Sequence, residues 1–223
     1  AQGGSGAGRL AAIVPLLGPR DGSVRNGAGA AAATAGPKAT KTIESHLADA
    51  KGVRRRALEA VLSRLGGKKA LHVLLDALIR DPDAAMSVAS ELRKQIASLG
   101  SKKARQTVRT EVESFLAAHA KDDGARTARA VAVQVLGHLE DPATKPLLLK
   151  LAKSAKEPPA VREQALIALR FTIDARRPDA KIVAVLCEAA EAEDLNLSRS
   201  ALLTLAQLPM SPKVAEVMLA LSA

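Results

Sequence analysis

An all-α solenoid, built by stacking similar helix pairs, is the fold class this sequence predicts, and three observations predict it. The pattern of Val161-Arg162-Glu163-Gln164-Ala165-Leu166-Ile167-Ala168-Leu169 is an apolar residue, then Arg, then Ala three positions on and an apolar pair three further. It returns as Val24-Arg25…Ala28…Ala31-Ala32, Val53-Arg54…Ala57…Ala60-Val61, Ala128-Arg129…Ala132…Val135-Leu136 and, with Ser for Arg, Leu197-Ser198…Ala201…Thr204-Leu205. Successive starts lie 29, 75, 33 and 36 residues apart, the 75 being two periods around a degraded copy. A recurring step of this size marks an array whose units bury their apolar faces on one another. Second, Leu65-Gly66-Gly67-Lys68-Lys69-Ala70 returns 34 residues later as Leu99-Gly100-Ser101-Lys102-Lys103-Ala104, an independent register with the same step. Third, only Phe115 and Phe171 are aromatic while 48% of the 223 residues are apolar. The core is therefore left to Leu, Val, Ile and Ala, which suits thin layers of closely approaching helices.

Taken in order, residues 1–8 are rich in Gly and Ser and read as a flexible tail, with the solenoid over 9–223. Leu10 to Gly18 reads as a short first helix rather than a signal peptide, because Arg9 and Arg20 bracket it and no small-residue cleavage site follows. Nine of the fifteen glycines fall in the first 36 residues, so the first repeat is a weak, atypical terminal one. From Lys38 onward helix follows helix. Ile43, Leu47 and Ala50 mark one apolar face, and Gly52 separates it from Val53 to Leu65, where Ala57, Val61 and Leu65 form a stripe. Leu71, Leu74, Leu75 and Leu78 lead the next pair, Asp81-Pro82 breaks it, and Ala85 to Leu99 is the degraded partner. Ser101 to Ala120 is a longer leading helix, and Asp122-Asp123-Gly124 turns into a partner through Val131, Val135 and Leu139. Asp141-Pro142 opens the next pair, Glu157-Pro158-Pro159 turns into Val161 to Leu169, Arg177-Pro178 begins another, and Glu193-Asp194 turns into Leu197 to Leu208. Val214 to Leu221 is a leading helix without a partner. The prolines stand between helices or in their first turns, where no hydrogen bond is lost.

These residues resemble the HEAT repeats, with the PBS lyase-type HEAT-like repeats next. The likeness rests on an acidic residue ahead of Val-Arg and spaced alanines: Asp21…Val24-Arg25…Ala28, Asp49…Val53-Arg54…Ala57 and Glu157…Val161-Arg162…Ala165. It covers most of the chain. It implies a right-handed α-α superhelix of about six antiparallel helix pairs plus a final helix. It also implies that the recurrent arginines 25, 54, 129 and 162 pair with turn carboxylates such as Asp49 or Glu157. The unit from Gly67 to Leu99 lacks the Val-Arg step, and Ser198 replaces an Arg.

The net charge is +10; from Glu157 to the end seven basic and nine acidic residues leave −2, so residues 1–156 carry +12. An anionic partner would meet that part. Lys51, Arg54, Arg55, Arg56, Arg64, Lys68 and Lys69 recur one repeat later as Arg93, Lys94, Lys102, Lys103, Arg105 and Arg109. Repeats in register would align Arg55, Arg56, Arg64, Lys68, Lys69, Arg93, Lys94, Lys102, Lys103 and Arg105 into a stripe, the candidate partner-binding residues.

No other cluster points to chemistry. Cys187 is alone in an apolar run and reads as a buried core thiol, so no intramolecular disulfide is available. His46, His72, His119 and His138 form no close ligand set; His72 with Asp76 reads as a helix-surface pair. Glu111 with Glu113, and Asp122 with Asp123, have no apolar pocket to raise a carboxyl pKa. No phosphate loop or nucleophile elbow is present. The sequence predicts no catalytic residues, no metal and no cofactor. No apolar run approaches the roughly 20 residues that cross a bilayer, so membrane insertion is not expected. A soluble protein, cytoplasmic or exported to the periplasm, fits, with Ala1 following either a processed leader or an earlier segment. The function predicted is non-catalytic: a scaffold or adaptor for a protein partner, an acidic one by charge. The alternative is sequence-independent nucleic-acid binding through the basic stripe.

Overall fold

The computed structural model describes residues 12–17, 27–32, 38–65, 67–174 and 178–220. Every regular element among them is helical, and no strand is formed. The helices are α1 (Lys38–Ala48), α2 (Gly52–Leu65), α3 (Gly67–Arg80), α4 (Ala85–Ala97), α5 (Lys102–Ala118), α6 (Arg126–His138), α7 (Lys145–Lys153), α8 (Pro159–Arg170), α9 (Ala180–Ala190), α10 (Leu195–Leu205) and α11 (Pro212–Ala220). Each coincides with a helix that the apolar spacing predicts, with ends shifted by a few residues. Where the spacing predicts a short first helix, Val14–Leu17 is a 3-10 turn. The tail 1–8 and the Val24-Arg25 step lie outside the described residues.

The turn signals act as helix caps. Ser101 Oγ accepts from Ala104 N at 3.1 Å, and Asp179 Oδ1 from Lys181 N at 2.8 Å. Asp194 Oδ1 takes both Asn196 N and Leu197 N at 3.0 Å. Asp122 and Asp141 cap the 3-10 turns Asp123–Ala125 and Pro142–Thr144, which run straight into α6 and α7. These are the first-turn N–H groups that a helix cannot satisfy itself, so short polar side chains recur there. The His119 imidazole lies 3.2 Å from the Asp122 carboxylate. That hydrogen bond, with the backbone N–H of Gly124, holds the exposed Asp122 carboxyl below its ordinary range.

The chain divides into two compact units, Ala1–Ala77 and Leu78–Ala223. In the first, Val14, Ala28, Ala32, Ile43, Leu47, Leu58, Val61 and Leu62 form one core with α1 packed on α2. In the second, a strict alternation appears. α5 packs on α6, α7 on α8 and α9 on α10 as hairpins. The second helices α4, α6, α8 and α10 lie side by side in succession, and the first helices α7, α9 and α11 do the same. A stack of hairpins requires this arrangement, since each pair covers the apolar flank of the next.

α6 has neighbours on three sides and shows it: Ala128, Val131, Ala132, Val133, Val135 and Leu136 are all buried. Gly137 sits where α6 meets α8, and a Cβ there would come within 3.0 Å of both Cα and Cβ of Ala168. Cys187 is buried, as its apolar run predicts.

Candidate functional site

The recurrent arginines fall into two groups. Those near the start of a second helix are used inside the fold. Arg162 donates through Nε to Ala152 O at 3.1 Å, in the last turn of α7. Ser198 does the same for α9, its hydroxyl reaching Ala190 O at 2.6 Å. Arg55 donates to Leu47 O of α1 at 3.4 Å while holding Glu59 at 3.0 Å. The last carbonyls of a helix have no intrahelical partner, so a donor at the start of the following helix supplies one. This explains why Ser can stand at 198, and why Arg162 meets a carbonyl where pairing with a turn carboxylate is expected. In the first unit Arg55 takes that place and Arg54 does not; the Arg54 Nε is buried without a hydrogen bond.

Arg129 follows the expected ladder. It is 3% exposed and its Nη2 donates to the Glu157 carboxylate in the turn before α8. Two further arginines on α5 are also tied in: Arg105 Nη1 donates to Leu139 O at 3.3 Å, and Arg109 Nη1 to Asp141 Oδ2 at 2.8 Å.

The other group faces outward. Arg93 and Lys94 on α4, with Lys102 and Lys103 opening α5, are exposed and pair with no described carboxylate. Arg56 on α2 is exposed as well. The side chains of Arg64, Lys68 and Lys69 lie outside the described residues. Of the predicted stripe, Arg93, Lys94, Lys102 and Lys103 are thus exposed on either side of the α4–α5 turn of the second unit.

Beside that turn is a cavity of about 570 Å³ between the C-terminal ends of α4, α6 and α8. Arg93, Arg105 and Arg170 line it, with His138 and Glu140. Ile96, Ile167 and Phe171 supply apolar wall. Phe171 is 39% exposed, with the Arg170 guanidinium 5.0 Å over its ring and the His138 ring 6.2 Å away. Glu140 is held there in a left-handed conformation (φ 50°), the position that reverses the chain after a helix and usually goes to Gly. A second depression, about 480 Å³, adjoins it between α4 and α6, with the exposed Met86 and Arg93 on its wall.

No family model and no curated protein matches this chain. Among solved structures, human deoxyhypusine hydroxylase in complex with glycerol is similar, at 16% identity over 92% of this chain and 85% of that one, with a TM-score of 0.39. A likeness of that size carries no argument about chemistry, and the all-α fold stands on the helices described above.

Sequence spacing singles out Arg93 and Arg105 but misses His138, Arg170 and Phe171. A signal was available: His138 and Phe171 stand 33 residues apart, one repeat step, so equivalent positions of successive units place two rings together. His138 titrates below its ordinary value of 6.5, first because burial disfavours the imidazolium, then because Arg93 repels it; Glu140 acts the other way. The folded chain therefore takes up this proton less readily than the unfolded one. Its contribution to stability is complete above pH 6.5 and drains away as pH falls through the folded pKa. The melting temperature should accordingly drop more between about pH 7.5 and about pH 5.5 in the natural protein than in His138→Gln. Equal drops in thermal melts followed by circular dichroism would refute the assignment.

Proposed function

We propose that this chain is a non-catalytic binding scaffold that engages an acidic segment of a partner protein at the α4–α5 corner. The observation that carries this is the division of labour among its cations. Arg105, Arg109, Arg129 and Arg162 each donate to an internal carbonyl or carboxylate. Arg93, Lys94, Lys102 and Lys103 are exposed, close in sequence on adjoining helices, and without a described ion pair. Like charges left together cost the fold some repulsion, and a negatively charged partner relieves it. Stacked hairpins suit such a role, because the apolar contacts lie between units and the outward positions are left for recognition.

The test compares the natural chain with the Lys94→Glu, Lys102→Glu, Lys103→Glu variant in affinity capture from the native source. The expected result is an acidic protein retained by the first and lost by the second. A synthetic peptide of its acidic segment should then bind the variant at least about 10-fold more weakly. Equal binding by both chains would sink the proposal. Capture of nucleic acid instead, with affinity falling about 10³-fold or more between about 50 and about 200 mM salt, would replace it with sequence-independent nucleic-acid binding.

A further inference from the structure

We infer that the cavity between the C-terminal ends of α4, α6 and α8 is a binding site for a small organic anion, a carboxylate or phosphate carried on a flat apolar body. Its size falls within the range of small-molecule sites, roughly 300–1,000 Å³. Its wall combines the two features such a ligand needs. Three guanidiniums line it with donors to spare. Arg93 has no described partner, and Arg105 spends only Nη1 on Leu139 O. Arg170 holds its guanidinium carbon 5.0 Å from the centre of the Phe171 ring, a cation–π contact that uses none of its N–H groups in a described hydrogen bond. With Glu140 counted and His138 neutral, the lining carries +2, from three arginines and one carboxylate.

Ile96, Ile167 and the part-exposed ring of Phe171 line the same cavity. An inorganic anion would leave this surface wet, whereas an aryl or alkyl carboxylate would cover it.

Cations near the last turns of helices also answer the helix dipole, and that alone would explain each one singly. It does not explain why cations from α4, α5 and α8 share one depression. Nor does it explain why Ile96 and Ile167 line the same depression, or why an aromatic ring stays exposed in a chain that has only two. His138 supplies a reporter within the site. Its Nε2 is shut off from solvent without a protein hydrogen bond. An anion arriving beside Arg93 and Arg105 would favour the imidazolium and move the titration upward.

The inference shares Arg93 with the scaffold reading and is separable from it, since Lys94, Lys102 and Lys103 do not line the cavity. The experiment follows the histidine side-chain resonances of the full chain by NMR during titration with phthalate, inorganic phosphate and neutral benzamide. Phthalate should shift the His138 signals saturably with a Kd of about 1 mM or tighter, and should raise the His138 pKa. Phosphate should bind at least about 10-fold more weakly, and benzamide should not saturate. Arg93→Gln with Arg170→Gln should weaken phthalate about 10-fold or more, with the helical circular dichroism unchanged. If that double variant does not fold, Arg93→Gln alone and Phe171→Leu serve: the first weakens both anions, the second phthalate only. No saturable shift by about 10 mM phthalate, equal affinity in the arginine variants, or equal binding of benzamide would each overturn the inference. So would saturation of His138 by an acidic peptide that phthalate cannot displace, a result that leaves the scaffold proposal intact.

Discussion

Replacing Glu157 by Ala is expected to destabilise the second unit by about 3–5 kcal/mol, the largest effect of any single change considered for this protein. Arg129 is 3% exposed, and its Nε already lacks a hydrogen-bond partner. The Glu157 side chain, 16% exposed, is the one described carboxylate it pairs with. Without that carboxylate a guanidinium remains in a helix flanked by apolar neighbours, unable to lose its charge at any ordinary pH and with no short route to water. The converse change is milder, since Glu157 lies in a turn nearer to solvent. Removing both charges is milder still: Arg129→Met with Glu157→Leu should recover most of the loss, because the desolvation cost of the pair disappears with its attraction. Urea denaturation followed at 222 nm measures all three; the chain has no Trp or Tyr for fluorescence. A loss below about 1 kcal/mol for Glu157→Ala would mean that Arg129 finds another partner, and the buried ladder would no longer be a principal support of the stack.

The same pair shows what the sequence made legible. Arg129 and Glu157 stand 28 residues apart at positions the repeat itself marks, so their meeting follows from the register. The helices were legible for the same reason: a period of 3.6 within each element and one of 33 to 36 between later copies agree with each other. Detail failed where register drifts by one. Val53-Arg54 aligns with Val161-Arg162 in sequence, yet Arg55 is the residue that reaches the preceding helix. Helix starts shift by a residue without disturbing the apolar stripe, and a long guanidinium accommodates the shift. Ser198 looked like a departure from the pattern but performs its task with a shorter donor. The cavity was hardly legible at all. Its arginines come from α4, α5 and α8 at no common spacing, and their convergence depends on how far each pair is offset from the last.

Gly137→Val is the second change with a large expected effect, about 2–3 kcal/mol of destabilisation. A Gly inside a helix ordinarily costs about 0.5–1 kcal/mol relative to Ala, so a substitution there would usually be expected to help. At Gly137 the sign reverses. The first added carbon would already stand 3.0 Å from the Cα and Cβ of Ala168 and 3.6 Å from Phe171. A backbone atom of the facing helix cannot rotate out of the way, so α6 and α8 must move apart, and the two methyl groups of Val widen the gap further. That separation loosens contacts along the whole pair, including Leu136 and Leu169, both fully buried. Gly137→Ala should lose about 1 kcal/mol, the overpacking outweighing the gain in helix propensity. Gly100→Ala is the control: nothing lies within 4 Å of its added carbon, and stability should change by no more than about 0.5 kcal/mol. If Gly137→Val melted with the natural protein, α6 and α8 would not approach as closely as their backbones indicate, and the floor of the cavity above them would have to be redrawn.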